Sequence, residues 1–538
     1  MEPGGKMRIL VTETLGDSGM AYLREHAEVD QRLRLSHQEL CDILPEYDAL
    51  IVRSATTVDD ALLQAGTRLR VVGRAGTGVD NIDVEAATRL GILVVNAPSG
   101  NSNAVAEHTI ALILAMARQL IPAVCSMKEG RWEKSSLQGI EVRNKVLGLV
   151  GLGRIGRLVA SKAKGLEMRV VAYDPFISAG GAASIGVELL SLDDLLRTAD
   201  FISVHTPLTP ATHGMIGIRE LALLKPEAYL INVARGGLID EAALREALSA
   251  GRLAGAALDV FETEPVRDAD FVADRRLIAT PHLGGSTAEA QENVALDVAE
   301  AIVDYLEGRF PSSPVNVPYV APQAAGFLRP YVDLAERLGR FFIQWRTRIS
   351  GPIELVFEGE VCEYDTRLLT SAFLAGLLHS ATTEPVNIVN ARHIASGAGL
   401  EVSEMSLSRP DRPTSQITAR MVNGPEPRDI SGALINGMPH LVGLDGQRVD
   451  CVAQGHMLVD VHHDVPGIVG NLGQLLGSNG VNISFAQMGR ARRGGEAIMI
   501  LGLDEALPAN LIPRILELSN IHVVRAVELP PLPGYDEN

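Results

Sequence analysis

Cysteine is scarce. Only Cys41, Cys125, Cys362 and Cys451 occur in 538 residues, scattered and without metal-ligand spacing. A reduced, cytoplasmic protein is the simplest expectation. Histidine does not make up the deficit. The adjacent His462-His463 has no third ligand at metal spacing, so no metal site is expected. Basic charge is also short: 48 Lys and Arg stand against 66 Asp and Glu, for a net charge of −18. This excludes general nucleic-acid binding and attraction to an anionic membrane surface. A phosphorylated ligand must then be held by a few local arginines. Long apolar runs are missing too. Met1-Glu-Pro-Gly-Gly-Lys6 has no signal-like core, and no run is long enough to span a bilayer, so no membrane partner is expected.

What is present is length, enough for three or four cores, and one highly organised stretch. Lys145 to Val150 is a short apolar run, followed directly by Gly151-Leu-Gly153-Arg-Ile-Gly156. Arg157 to Lys164 then has helical character, and Met168 to Tyr173 forms a second apolar run ending at Asp174. Strand, glycine turn, helix, strand and acid make a dinucleotide-binding unit. Gly151 allows the tight turn, Gly153 lets the backbone approach a pyrophosphate, and Gly156 lets the helix lie close on the strand. The helix N-terminus offers unpaired N–H groups to the phosphates. Asp174 lies about 20 residues past the glycines, where it can accept from both ribose hydroxyls and would repel the extra phosphate of NADP. NAD is the expected cofactor.

Before this unit, apolar strands over Met7–Thr12, Ala49–Val52, Leu69–Gly73 and Ile92–Asn96 alternate with helical spacing, which predicts a mostly parallel sheet. Ligands of such sheets sit beyond the strand carboxyl ends. Arg53 and Arg74 stand at those ends, and Gly76-Thr-Gly78 beside Arg74 is expected to offer backbone N–H groups to an anion. Asn101 to Asn103 open a long helix, through Arg118, that leads into the cofactor unit, and Ser99-Gly100 before it is an expected hinge. After Asp174, strands ending near Val233, Phe261 and Thr280 deliver Arg235, Glu264 and His282 to one sheet edge. The three suit a 2-hydroxy acid. Arg235 can clamp its carboxylate, His282 can take the hydroxyl proton as hydride leaves, and Glu264 can hold the imidazole and favour its charged form.

The chain resembles the D-isomer-specific 2-hydroxyacid dehydrogenases. The resemblance runs along nearly the whole length and is carried by Val72–Asn81, the glycine turn, Asn232–Gly237, Asp259–Pro265 and Pro281–Gly285. It implies catalysis by Arg235, Glu264 and His282. It implies NAD contacts from Thr77, Gly151, Gly153, Arg154, Ile155, Gly156, Asp174, Thr206, Val233, Ala234, Arg235, Asp259, His282, Gly284 and Gly285. It implies a substrate site of Arg53, Ser54, Arg74 and Gly76, with Lys134 joining from a neighbouring subunit. Within the family, the long form fits best, which implies oxidation of 3-phospho-D-glycerate to 3-phosphohydroxypyruvate on the route to L-serine. A glyoxylate or hydroxypyruvate reductase is the alternative, and a nucleotide-sensing scaffold is a further reading from another class.

The C-terminal part fits that long form. From Pro322 to Gln454 no catalytic constellation is visible; a helix is expected from about Leu328 to Trp345, with Pro330 in its first turn. From His456 onward a βαββαβ pattern resembles an ACT regulatory domain. By that resemblance Asp464, Gly467 and Asn482 would bind an amino-acid effector, L-serine, between paired copies. The expected fold class is α/β: two doubly wound Rossmann-like lobes, an α+β intervening domain and a ferredoxin-like ACT domain. The expected boundaries are 1–98 with 286–316 for the substrate lobe, 99–285 for the NAD lobe, 317–454 for the intervening domain and 455–538 for the ACT domain. A homodimer or homotetramer is expected.

Overall fold

The structure is a computed structural model, and it describes residues 6–349, 351–382, 385–408, 415–422 and 428–532. Four sheets carry the chain. The first is parallel, with spatial order Glu28–Gln31, Arg8–Val11, Ala49–Val52, Val71–Arg74, Leu93–Asn96. Numbered along the chain this is 2-1-3-4-5, a doubly wound order. Its central strand, Ala49–Val52, is apolar throughout because both faces are covered. One cover is the helix Ala288–Leu306, started by the Thr287 side chain accepting from the Ala290 N–H at 3.2 Å. Val294, Ala295, Val298, Ala299 and Ile302, spaced at helical intervals, bury against Ile9, Val11, Ile51 and Val71. Gly73 makes this seat possible: a Cβ there would lie 2.5 Å from Ile302 Cδ1. The helix thus returns the chain to the first sheet, as its sequence position suggests.

The second sheet is also parallel, with spatial order Leu277–Ala279, Gly255–Leu258, Tyr229–Asn232, Phe201–Val204, Val146–Val150, Arg169–Tyr173, Glu188–Leu189. The chain reverses direction of growth beside Val146–Val150, and the crevice at that switch point is where such sheets bind dinucleotides. The helix Ser102–Ala117 links the two sheets. It ends at the Arg118 cap, as its sequence suggests; Gln119 takes a left-handed φ of +49°, and a second helix, Leu120–Lys128, leaves at 67°. Asn101 takes the cap position, but its side chain does not cap; it accepts from Thr77 Oγ1 at 2.6 Å. Among the described residues no single helix is long and apolar enough to cross a membrane.

The third sheet is mixed and packs under the helix Pro322–Arg346. That helix begins earlier than its sequence suggests, at Pro322, so Pro330 lies inside it rather than in its first turn. An interior proline costs about 3 kcal/mol. Burial of Leu328, Tyr331, Leu334, Leu338, Phe341 and Phe342 on one face, at about 1.5–3 kcal/mol each, outweighs it. Against this helix runs Arg367–Leu378, and the two touch backbone to backbone where Gly339 meets Phe373 and Gly376 meets Glu336. The fourth sheet is antiparallel, with spatial order Ile483–Arg490, Glu496–Leu503, Gly455–His463, Ile521–Leu529; helices Ile468–Ser478 and Leu511–Leu516 complete a ferredoxin-like βαββαβ unit. The buried Arg337 joins third and fourth units by donating to Ala453 O at 3.0 Å and Pro531 O at 3.4 Å, and to Pro530 O. Gln344 bonds Glu528 backbone in both directions at 2.9 and 2.8 Å.

Candidate active site

Parallel register brings the reacting groups together. Asn232 pairs with Leu258 and Leu258 with Ala279, so three neighbouring strands end at one level. The loops just beyond carry Arg235, Glu264 and His282. His282 Nδ1 lies 2.8 Å from Glu264 Oε2. A carboxylate only accepts, so Nδ1 carries the proton and the Nε2 lone pair is left able to accept one. The other oxygen, Glu264 Oε1, accepts from the Phe261 N–H at 3.0 Å, which fixes the carboxylate plane. The hydrogen bond to Glu264 raises the His282 pKa above its ordinary value, and burial opposes it. Burial would push the Glu264 carboxyl up, but the bonds from His282 and Phe261 hold it below its ordinary value.

The backbone of His282 is left-handed, with φ +57°. Such a conformation is rare for a non-glycine residue and is kept only where its surroundings dictate it. Here the His282 N–H donates to Asp259 O at 2.9 Å and Thr280 O at 3.0 Å. Asp259, expected among cofactor contacts, is completely buried beneath this loop. It accepts from Thr280 Oγ1 at 2.5 Å and from the N–H groups of Leu283 and Gly284 at 2.7 and 2.8 Å. Burial pushes its pKa up, yet the bonds from His108, Thr280, Leu283 and Gly284 outweigh that and keep it low. Asp259 therefore shapes the loop carrying His282 from below. His108 reaches Thr280 Oγ1 and Asp259 Oδ1, both at 3.3 Å.

Arg235 is set by Asn232, whose Oδ1 accepts from the Ala234 N–H at 3.0 Å and whose Nδ2 donates to Arg235 O at 2.7 Å. The guanidinium donates from Nη1 to Ala234 O at 2.7 Å and from Nε to Asp80 Oδ2 at 3.0 Å. Asp80 belongs to the first sheet's loops, so this ion pair crosses between the lobes. Sequence reading missed both Asn232 and Asp80 as site residues, although each lies within a distinctive stretch.

The first lobe supplies cations. Glu13 accepts from the N–H groups of Arg53, Ala55 and Thr56 at 2.8, 3.2 and 3.1 Å, holding the Arg53 turn open, with Ser54 exposed on it. Arg53 Nη1 donates to Thr14 O at 3.0 Å. Arg74 is largely enclosed, and its Nε has no partner among the described residues. Burial and the nearby Arg235 charge lower the Arg74 pKa, opposed by Asp80 and Glu13. A half-buried guanidinium with an unused donor, near two more, is able to hold an anion. Gly76 serves it in an unexpected way. Its N–H, expected to face an anion, is spent on Arg74 O at 2.8 Å. Its missing side chain is what matters, because a Cβ there would collide with Arg74 Nη1. Lys134 is exposed and makes no ion pair among the described residues.

The glycine turn fits a dinucleotide. Gly151 has φ +101°, and a Cβ on it would sit 2.6 Å from His205 O. A Cβ on Gly156 would collide with Gly151 O. Around Gly153 there is open space, and no side chain caps the helix Arg154–Gly165 that starts there, so its first N–H groups face outward. Arg154 and Ile155 form its first turn. Asp174 accepts from the Leu152 N–H at 2.8 Å and the Phe176 N–H at 2.9 Å, which places a carboxylate beside the turn. Thr206, beyond Phe201–Val204, turns its hydroxyl toward Met215 Sδ at 3.6 Å. Thr77 Oγ1 donates to Asn101 Oδ1 at 2.6 Å, the Ala234 N–H donates to Asn232 Oδ1 at 3.0 Å, and Val233 is buried. A Cβ on Gly284 would lie 3.0 Å from Val233 Cγ1, and one on Gly285 2.7 Å from Asn101 Nδ2.

In the fourth unit, Gly467 has φ +100° and starts its helix, as a turn glycine should. Asp464 accepts from Arg490 Nη1 at 2.5 Å and from the Gly494 N–H at 3.1 Å. Asn482 donates to Asp504 Oδ2 at 2.6 Å. Within one chain the two residues keep separate partners.

Comparison with known proteins agrees with this geometry. Residues 110–284 match the D-isomer specific 2-hydroxyacid dehydrogenase NAD binding domain. Residues 327–445 match the D-3-phosphoglycerate dehydrogenase intervening domain, and 456–520 match the ACT domain. The D-3-phosphoglycerate dehydrogenase of Synechocystis sp. is 43% identical, over 97% of this chain and 95% of its own. That of Methanocaldococcus jannaschii is 41% identical, over 97% of this chain and 100% of its own. Among solved structures, the TT0316 protein from Thermus thermophilus is 36% identical with a TM-score of 0.54, covering 57% of this chain and 100% of its own. A D-lactate dehydrogenase from Aquifex aeolicus, complexed with NAD and lactic acid, is 27% identical with a TM-score of 0.50, covering 56% of this chain and 96% of its own. The molecule is an NAD-dependent dehydrogenase with an ACT domain. It belongs to the D-3-phosphoglycerate dehydrogenase family, the long form of the D-isomer specific 2-hydroxyacid dehydrogenases.

Proposed function

We propose that the protein oxidises 3-phospho-D-glycerate at its 2-hydroxyl to 3-phosphohydroxypyruvate, the first step of phosphorylated L-serine biosynthesis. The observation that carries this reading is the His282–Glu264 pair, 2.8 Å apart, at the sheet edge that also bears Arg235 and the glycine turn. Arg235 binds the substrate carboxylate and so orients C2. Arg74 and Arg53 neutralise the phosphate. His282 Nε2 takes the hydroxyl proton, and Glu264 stabilises the imidazolium that results. The Gly151–Gly156 turn and Asp174 would hold NAD, which would supply the hydride acceptor. In the reverse direction the same imidazolium returns the proton.

The remaining parts follow from the family. The substrate lobe is 1–98 with 286–316, the NAD lobe 99–285, the intervening domain 317–454 and the ACT domain 455–538. L-serine binds between ACT domains through Asp464, Gly467 and Asn482 and lowers activity. Leu120, Ile121, Val124 and Met127 expose an apolar face beside Trp132, which is 79% exposed, and this supports a homodimer or homotetramer. Lys134 of one copy then completes the phosphate site of another. The protein works in the cytoplasm.

The test is NADH formation with 3-phospho-D-glycerate against D-glycerate and other unphosphorylated 2-hydroxy acids. A preference for the phosphorylated acid that disappears in Arg74→Ala supports the reading. Equal or better use of the unphosphorylated acids points instead to a glyoxylate or hydroxypyruvate reductase.

A further inference from the structure

Arg235 has five N–H donors in a planar fork, and two edges can bind a carboxylate bidentately. Which edge faces the substrate depends on what holds the others. One Nη1 proton is spent on Ala234 O at 2.7 Å and the Nε proton on Asp80 Oδ2 at 3.0 Å. Nη2 has no hydrogen-bond partner among the described residues, so the end-on edge, made of one Nη1 and one Nη2 proton, is left to bind. Asp80 thus selects the edge.

Asp80 is placed for this by its own loop. Asn81 donates from Nδ2 to Arg53 O at 2.8 Å and Thr56 O at 2.6 Å, tying the loop to the turn that carries Arg53. Val58 and Ile82 form a parallel bridge just beyond, and Ile82 is buried. Gly78 lies under the ion pair. A Cβ there would sit 2.6 Å from Asp80 Oδ2 and collide with Arg235 Nη2. The stretch Gly78-Val-Asp80-Asn81 therefore combines a gap, a carboxylate and an anchor. The Asp80 side chain is 68% exposed, so as a stabilising ion pair it contributes little. Its value lies in geometry. It also lowers the net positive charge facing the substrate, since Arg53, Arg74 and Arg235 gather there.

We propose that Asp80 is a positioning residue for the oxidation: it reaches from the substrate lobe to the cofactor lobe, holds Arg235 by Nε, and presents the end-on edge to the substrate carboxylate only when the lobes are apposed. The proposal rests on the dehydrogenase reading above. It implies that alignment of C2 depends on lobe closure through one carboxylate.

The test compares Asp80→Ala, Asp80→Asn and Arg235→Lys, singly and combined, in steady-state oxidation of 3-phospho-D-glycerate. A misplaced clamp costs rate at the chemical step, so Asp80→Ala lowers kcat about tenfold. KM for the phosphorylated acid does not rise, because a negative charge has been removed from its site. KM for NAD stays within about twofold, and Asp80→Asn, which still accepts from Nε, recovers part of kcat. Because Asp80 acts through Arg235, adding Asp80→Ala to Arg235→Lys costs less than about threefold more. The proposal is overturned if Asp80→Ala keeps the parent kcat, if its loss is fully additive with Arg235→Lys, or if KM for NAD worsens in step with kcat. Should Asp80→Ala not fold, Asp80→Ser, whose side chain is too short to reach Nε, gives the same cycle with Arg235→Lys. A parent protein that oxidises no 2-hydroxy acid would instead remove the dehydrogenase reading, and the proposal with it.

Discussion

Replacing Glu264 by Gln isolates what the carboxylate charge does for His282. The amide has nearly the same shape and its oxygen can still accept from Nδ1–H, which keeps the ring's orientation at the cost of turning the NH2 toward the Phe261 N–H that Oε1 accepts from in the parent. What disappears is a negative charge whose nearest oxygen is 2.8 Å from the ring nitrogen. Charge centres about 4 Å apart interact by about 4 kcal/mol at an effective dielectric of 20 and about 1 kcal/mol in water. The side chains of His282 and Glu264 are 51% and 38% exposed, so screening places the pair near the lower figure. A loss of about 1.4 kcal/mol corresponds to one pKa unit and tenfold in rate. The sign follows from the direction of the shift. Glu264 raises the His282 pKa, so its removal lowers it, and the neutral base exists at lower pH. The pH profile of kcat/KM for oxidation, read by NADH absorbance, should have its acidic limb moved down by about one unit. The plateau kcat should fall about tenfold, because the imidazolium formed during turnover has lost its counter-charge. For reduction of the oxo acid, which needs the protonated ring, the falling limb should move down by the same amount. An unmoved limb, or one displaced upward, would refute the role given to Glu264.

Three further outcomes follow from the same geometry. Asp174→Ala should weaken NAD and improve relative use of NADP, read as the ratio of kcat/KM for the two cofactors; an unchanged ratio would count against Asp174. Gly153→Val should leave the thermal midpoint nearly unchanged, because no atom lies within 4 Å of a Cβ there, yet raise KM for NAD more than about tenfold. A large loss of stability with unaltered NAD affinity would show that Gly153 serves the fold instead. Asn482→Ala should blunt inhibition by L-serine in a dose–response assay, and a parent enzyme indifferent to millimolar serine would remove the effector proposal.

Much of this was legible in the sequence because a parallel sheet ties chemistry to strand ends. Apolar runs marked the strands, and the residues just beyond them, Arg235, Glu264 and His282, fell into one line once neighbouring strands paired in register. The edge strand Glu28–Gln31 left no such mark, being short and polar on a partly exposed edge. Pro330 concealed the start of its helix, since local backbone preference and burial of the apolar face point opposite ways there. The Arg235–Asp80 pair joins residues 155 apart in sequence, which no local pattern encodes. Gly76 was read for its N–H, but that N–H is spent on Arg74 O, and its small size is what makes room for Arg74.

The central claim is that His282 Nε2 is the base. The direct measurement is turnover of 3-phospho-D-glycerate by His282→Ala alongside NAD binding by the same preparation. The account predicts a kcat lower by about 10²- to 10⁴-fold with NAD affinity unchanged. Turnover by that variant close to the parent rate would contradict it.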